Sequence, residues 1–406
     1  MSEPSGDRGP ALLKAARAGL PEMVDVRRML HRRPEIGLEL PETQKAVAQR
    51  LEHLGLAPRL GGSVGSVTAL IHGDRPGPTI LLRADMDALP LQEDTGLDFA
   101  SEVPGAMHAC GHDTHVAMLL GAARLLIERR AALAGRVLLM FQPGEEGFHG
   151  ARFMLDEGLL DVGPESEVTG AFAIHIGNRY ENGTINLRPG PLMASGDTIR
   201  LTVRGRGGHA SAPHLAVDPI SVAAHITVAL QTMVTRTVDA FDPAVITIAN
   251  ISAGTTTNII PETAFMQGTM RTVSAAQRSA VRKRLPGFVS AIAEAFGAIA
   301  ELELEPGYPV TSNDADYCEL VRQDAVTILG EDAVRTLPAP IMGAEDFSYV
   351  LEKVPGAMAF LGAAPVGVEP ESVPQNHSNI VVFDEPTMAV GAALYAAVAL
   401  RHLAPG

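Results

Sequence analysis

The sequence predicts an α/β protein: a mostly parallel sheet flanked by helices, carrying an inserted α+β, ferredoxin-like lid. Three observations predict it. Short, nearly continuous apolar runs alternate with helical periodicity over residues 66–176, as expected of strands buried on both faces and separated by helices. Over 190–306 the order becomes strand, helix, strand, strand, helix, strand, a split βαββαβ arrangement able to fold by itself. The length of 406 residues also exceeds the roughly 250–300 residues that a single core supports.

In chain order, SVTALIH (66–72), TILLRA (79–84), RVLLMFQ (136–142) and GAFAIHI (170–176) predict four strands. Residues 113–132 carry helical periodicity, end in a basic turn and are followed by Gly135, which predicts a helix there. The second region reads as strand 198–204, helix 218–235, strands 244–251 and 263–271, helix 275–296 and strand 299–304. Asp218 before Pro219 has the form of an N-cap followed by proline at the first helical position, and Ser274 with Gln277 has capping-box spacing. From about 309 the chain returns to helix, strand and loop, so 190–306 reads as a lid inserted between residues 1–189 and 307–406 of a catalytic domain. Gly and Pro at 188–196 and 304–312 predict hinges and an open-to-closed cycle.

A formal net charge of −15 argues against nucleic-acid or anionic-membrane partners, since no basic field is available. The N-terminus MSEPSGDRGP is polar and no run approaches ~20 apolar residues. Cys110 and Cys318 are the two cysteines, too few for a disulfide framework. A soluble cytoplasmic protein is expected.

The chemistry concentrates at the ends of the predicted strands, where open α/β sheets gather ligands. HACGHDTH (108–115) packs four potential thiol or imidazole metal donors into eight positions. Cys110 and His112 lie on a tight loop just before a helix, where Gly111 allows close approach and the helix N-terminus is expected to favour the thiolate. Asp85 and Asp87 follow the second strand and Glu145-Glu146 the third, while His175 ends the fourth and His377 lies in a later polar loop. Adjacent carboxylates repel unless a cation offsets them. One can ligate metal while its neighbour takes a proton from water. Taken singly, a CxH is usually an inert Cys beside a surface His, an EE pair a solvated turn, and a strand histidine a hydrogen-bonded core residue. Their combination favours a metal centre of mixed soft and hard donors.

RADMDALP, HACGHDTH, QPGEEGFHGA, AIHIGN, GRGGHASAPH, TTTNIIPE, GTMRT, GAEDFSY and QNHSN together resemble the amidohydrolase branch of the co-catalytic metallopeptidases. That branch holds hippurate hydrolase, N-acyl-L-amino-acid amidohydrolases and plant auxin-conjugate hydrolases, and the resemblance runs from about residue 25 to 395. It implies two divalent metal ions per subunit, Mn2+ or Zn2+ foremost, with Co2+ and Ni2+ also suited. It implies Cys110 as a ligand bridging both ions, with His112, Glu146, His175 and His377 completing the sites. Glu145 is implied as general base and Asp87 as the carboxylate that orients a ligand, while Asp85 stands where more distant relatives have a metal-binding His. His209 and Asn258 are implied near the developing oxyanion, His209 often acting across a dimer interface. Arg271 is implied to hold the substrate carboxylate, and Gly343 to Phe347 to line the substrate pocket. A homodimer or homotetramer is the implied assembly.

The function expected is hydrolysis of N-acyl amino acids to a carboxylate and a free amino acid. Three alternatives stand beside it. A dipeptidase or carboxypeptidase would use the same site, although relatives acting on peptides more often have Asp where this chain has Cys110 or His175. A Cys110 nucleophile with a histidine base would survive chelation, and would leave Glu145-Glu146 without a role. A binding protein that has lost catalysis would hold acyl amino acids without cleaving them.

Overall fold

The computed structural model describes residues 5–164 and 166–404. The described residues divide into two compact units, the first comprising those within 1–192, 312–339 and 346–406, the second residues 193–311 and 340–345. Residues 340–345 were expected with the closing segment of the catalytic domain. They group with the second unit, where Ala194 N donates to Ile341 O at 2.9 Å.

The first unit opens with helices α1 (Ser5–Ala18), α2 (Leu20–Arg32) and α3 (Pro41–His53). Strands β1 (Arg59–Leu60), β2 (Val67–His72) and β3 (Arg75–Asp85) follow, then α4 (His112–Ile127), β4 (Ala134–Gln142), α5 (Gly150–Asp156), β5 (Val168–Gly177), β6 (Ile185–Leu187) and β7 (Gly190–Met193). The second unit contributes β8 (Asp197–Arg204), β9 (Gly208–His209), α6 (Pro219–Thr237), β10 (Ala244–Ala253), β11 (Ile259–Ile260), β12 (Thr263–Thr272), α7 (Ala275–Ala295) and β13 (Ile299–Glu305). The chain finishes with β14 (Thr311–Asn313), α8 (Ala315–Leu329), β15 (Val334–Thr336), α9 (Ser348–Leu351), β16 (Gly356–Gly362) and α10 (Met388–His402).

The large sheet has the order β1-β2-β4-β3-β5-β16-β6-β15. Its centre is parallel: β3 pairs with β4 and β5, and β5 with β16, all in the same direction. The near-continuous apolar runs explain this placement, because β4 and β5 are buried along almost their whole length and only a sheet covered on both faces accommodates them. Helices α4 and α10 are apolar nearly all round and buried accordingly, packing on each other and on the sheet. Parallel pairing brings Asp85 at the end of β3, the Glu145-Glu146 turn after β4 and His175 near the end of β5 to one edge of the sheet.

The predicted helix over 113–132 stops at Ile127, and Arg130–Ala132 forms a separate 3-10 turn. Glu128, Arg129 and Arg130 interrupt the apolar stripe there, so nothing draws a further helical turn onto the core. The remaining long elements lie within a few residues of their predicted positions.

In the second unit β8, β10, β12 and β13 form an antiparallel sheet of order β10-β12-β8-β13, the ferredoxin-like βαββαβ topology. Burial alternates along β8: Ile199, Leu201 and Val203 face Val222, Ile226 and Leu230 of α6 and Val281, Leu285 and Val289 of α7 in one core. Both helix starts follow the sequence signals. Asp218 accepts from Ile220 N at 3.0 Å, and Ser274 Oγ accepts from Gln277 N at 3.0 Å. Among the described residues no helix is long and apolar enough to cross a membrane.

Candidate metal centre

Cys110 and His112 flank Gly111, which sits at the N-cap of α4 with φ of 88°. A Cβ there would lie 2.4 Å from Ile176 Cγ2, so only glycine permits both the left-handed turn and the approach of β5. His112 donates from Nδ1 to the carbonyl of Asp87 at 2.8 Å. That bond fixes the tautomer and leaves Nε2 buried without a hydrogen-bond partner. His175 repeats the arrangement: Nδ1 donates to Ile176 O at 2.7 Å, and Nε2 stands 3.4 Å from Cys110 Sγ.

His377 Nε2 lies 3.2 Å from Cys110 Sγ and 3.2 Å from Glu146 Oε1. Its backbone has φ of 70°, a conformation that a non-glycine residue keeps only when its surroundings enforce it. Asn376 supplies the enforcement, donating from Nδ2 to both Cys110 O and Ile176 O at 3.1 Å, while His377 N donates to Ala109 O at 2.9 Å. The QNHSN loop is thereby pinned to the cysteine loop and to β5.

The structure thus brings together Cys110, His112, Glu146, His175 and His377, with Glu145 beside them. The donor atoms of Cys110, His112 and His175 lie within 4.8 Å of one another, as do those of Cys110, Glu146 and His377, and those of His112, Glu145 and Glu146. Cys110 is the one residue common to the first two sets. His112 Nε2, buried among carboxylates and a thiol without a hydrogen-bond partner, is a fit for divalent cations once it gives up its proton.

Electrostatics corrects one expectation. The helix N-terminus does not favour a Cys110 thiolate here: burial, followed by the charges of Glu146, Glu145 and Asp85, pushes the thiol well above its ordinary range. A cation reverses that balance. His112 shows the complement. Burial opposes its charged form, but Asp85, Asp87 and Glu146 outweigh burial and raise it to about 10, so metal uptake releases a proton at neutral pH. Burial and then the neighbouring His115 hold His175 well below the usual histidine value, leaving it neutral.

Asp87 accepts from Glu145 N through Oδ1 and from Glu146 N through Oδ2, each at 3.0 Å. One carboxylate therefore sets both glutamates, and its carbonyl orients His112. Asp85 is wired differently. Its Oδ1 pairs with His115 Nδ1 at 2.5 Å and its Oδ2 with Arg83 at 2.8 Å, the latter oxygen lying 3.5 Å from His112 Nε2. His115 Nε2 accepts from Ile176 N at 2.8 Å, so its two ring nitrogens are spent on fixing β3 and β5 against α4. His108, the fourth donor of HACGHDTH, is buried, and burial lowers it to about 3. Sequence reasoning gave no role to Arg83, Gln142 or Asn376, and placed Asp346 only in the segment expected to line the substrate pocket. Arg83 donates to Gln142 Oε1 at 2.9 Å and to Asp346 at 3.3 Å, and Asp346 also accepts from Gln142 at 2.6 Å and from Ala151 N at 2.9 Å. The available signal was a lone arginine inside the apolar TILLRA run.

Behind the ligand loop, Asp113 accepts from Arg27 at 3.2 Å and pairs with His31 at 2.8 Å. Burial alone would depress His31, but the charge of Asp113 and hydrogen bonds to Asp113 and Glu93 raise it from 6.5 to about 9. The folded state therefore binds this proton more tightly than the unfolded state. Its stabilisation, about 3 kcal/mol, is complete below 6.5 and is lost as pH rises through about 9. The urea midpoint of the wild type is expected to fall across that window more steeply than that of His31→Gln. Parallel pH dependences would refute the assignment.

The other predicted residues lie on the second unit. His209 on β9 is exposed and pairs with Ile259 of β11, and Asn258 O accepts from Ala210 N at 3.0 Å. His209 and Asn258 line one open depression of about 540 Å3, together with Gly207, Gly208 and Ile259 to Glu262. Arg271 on β12 is half-buried, and among the described residues its side chain has no hydrogen bond or ion pair. Burial pulls its guanidinium below the ordinary value, with Asp197 partly offsetting this. Asp197 is itself occupied by Arg278 at 2.8 Å and Arg282 at 2.6 Å. Gly343 is half-buried beside Met193. Another cavity, about 560 Å3, lies along β2 and the turn that follows α3 and holds none of these residues. Donor geometry rather than cavity size marks the site.

Residues 81–401 match the model of peptidase family M20/M25/M40. The chain belongs to that family. It is 39% identical over 383 residues to thermostable carboxypeptidase 2 of Saccharolobus solfataricus, covering 93% of this chain and 95% of the relative. It is 40% identical over 341 residues to N-acetyl-L-cysteine deacetylase of Bacillus subtilis, covering 84% and 80%. In structure it is similar to a Bacillus subtilis dinuclear metal binding peptidase of the M20 family, with TM-score 0.81, 35% identity and coverage of 95% and 99%. This M20 member has the mixed α/β architecture of that structure, including a large, mostly parallel sheet.

Proposed function

We propose that this protein is a metal-dependent amidohydrolase that cleaves N-acyl amino acids to a carboxylate and a free amino acid. The observation that carries the reading is Cys110 standing in two donor sets at once, with the Glu145 carboxylate alongside. Membership of the M20 family and the likeness to an N-acetyl-L-cysteine deacetylase support it.

Divalent ions held by Cys110, His112, Glu146, His175 and His377 would supply Lewis acidity at the amide carbonyl and acidify water. Glu145 takes a proton from the attacking water as its oxygen bonds to the acyl carbon. The same carboxyl group returns that proton to nitrogen as the C–N bond breaks. Asp87 holds Glu145 and Glu146 in place throughout. His209, with Asn258 near it, donates a hydrogen bond to the oxygen on which charge develops. Arg271, desolvated and unpaired, takes the free carboxylate of the amino acid, and the 343–347 segment lines the pocket. Mn2+ or Zn2+ suits the mixed donors best, with Co2+ and Ni2+ next. A cytoplasmic homo-oligomer completes the proposal, supported by two free cysteines and by Val228, Val245 and Ile251 exposed on the second unit; sedimentation would measure the assembly.

The decisive experiment is a panel of N-acetyl, N-benzoyl and aminoacyl amino acids assayed on metal-stripped protein restored with each ion. The proposal expects N-acyl substrates to lead. The likeness to a carboxypeptidase favours a second reading on the same site, and faster turnover of peptides would select it. Arg271→Ala is expected to raise KM about ten- to a hundredfold for substrates with a free carboxylate, the worth of a charge-assisted pair. It should leave the amide-capped analogues unchanged. Equal losses on both would remove Arg271 from this role.

A further inference from the structure

His209 has a second feature that its exposure conceals. Ser211 N lies 3.1 Å from His209 Nδ1 and donates to it, and Ser211 Oγ lies 2.7 Å from the same nitrogen. A backbone N–H can only donate, so Nδ1 must present its lone pair. An imidazole with a bare Nδ1 carries its proton on Nε2. A charged ring, with protons on both nitrogens, would set one N–H against another in this geometry. The turn is fixed from outside the ring as well: Ala212 N donates to His209 O at 2.8 Å, Ala210 N to Asn258 O at 3.0 Å, and His209 pairs with Ile259 across β9 and β11.

We propose that Ser211 is a positioning residue that locks His209 in the neutral Nε2–H tautomer, making it a fixed hydrogen-bond donor and not a carrier of protons. The catalytic consequence rests on the reading of His209 as the oxyanion donor. A donor of settled tautomer needs no reorganisation when charge appears on the carbonyl oxygen. Proton transfer from water to the leaving amine is then left to Glu145 alone.

The test uses full-length, zinc-loaded protein labelled with 15N in its histidines, His209→Gln identifying the ring signals of His209. The lock expects a pyridine-like Nδ1 and a protonated Nε2 in the wild type. Ser211→Ala removes the hydroxyl and keeps the backbone N–H, so it should shift the Nδ1 signal without protonating that nitrogen and lower kcat about three- to tenfold, the worth of one neutral hydrogen bond, with KM unchanged. Ser211→Thr, which restores a hydroxyl, should recover both signal and rate. A protonated Nδ1 in the wild type, or an Ala variant with unaltered Nδ1 signal and kcat, would overturn the proposal. If the wild type shows the Nε2–H form but cleaves no N-acyl amino acid, the lock stands and the substrate assignment falls.

Discussion

Glu145→Ala is expected to lose about a hundred- to ten-thousandfold in turnover while keeping nearly all its metal, because a positioned base contributes about 10²–10⁴ and both donor sets that share Cys110 are complete without it. Glu145 is 6% exposed. Neither donor set that shares Cys110 includes it. Its backbone N–H is held by Asp87 at 3.0 Å, so the turn keeps its shape when the side chain is removed. Glu145→Gln tests basicity at constant size and should fail nearly as badly. Elemental analysis of the purified variants would give the metal content beside the rates. An Ala variant with a tenth of the wild-type rate would sink the assignment, whatever its metal content.

The second large effect is expected at Cys110. Since both donor sets pass through Sγ, Cys110→Ala should lose both ions and all measurable turnover, whereas His377→Ala, which removes a member of one set, should retain one ion. Cys110→Asp replaces a thiolate by a carboxylate that can still ligate, and should recover metal and part of the activity. This series also separates metal hydrolysis from a thiol nucleophile. A nucleophilic Cys110 predicts an inactive Asp variant, wild-type activity that survives chelation, and a trappable thioester. The thiol's own environment argues the other way, because burial and three carboxylates oppose the thiolate in the absence of a cation.

The donors were legible in sequence because their chemistry resides in residue type and short spacing: a thiol and an imidazole flanking a glycine, paired glutamates after a strand, a histidine interrupting apolar residues. The central strands were legible because continuous apolar runs have few places to go. What could not be read depended on distant partners. His112 and His115 look alike in HACGHDTH, yet one turns a nitrogen without a hydrogen-bond partner toward the metal donors and the other is occupied by Asp85 and by Ile176 N, 30 and 61 residues away. The thiol's protonation state escaped for the same reason, since the carboxylates that set it lie on other loops. Nor does any local pattern reveal that β16, late in the chain, enters the sheet between β5 and β6. Asn376 gave no signal as a brace until the loop it pins was seen to hold His377 at positive φ.

One consequence concerns synthesis on the ribosome. His377 reaches back across 267 residues to meet Cys110. Between them the chain must emit the whole second unit and return. A nascent polypeptide released early therefore carries the cysteine, the paired glutamates and two of the three histidines, but not the brace or the final donor. On the proposed ligand set, full metal loading then requires the chain to extend past His377, and chains truncated before it are expected to lack full hydrolytic activity.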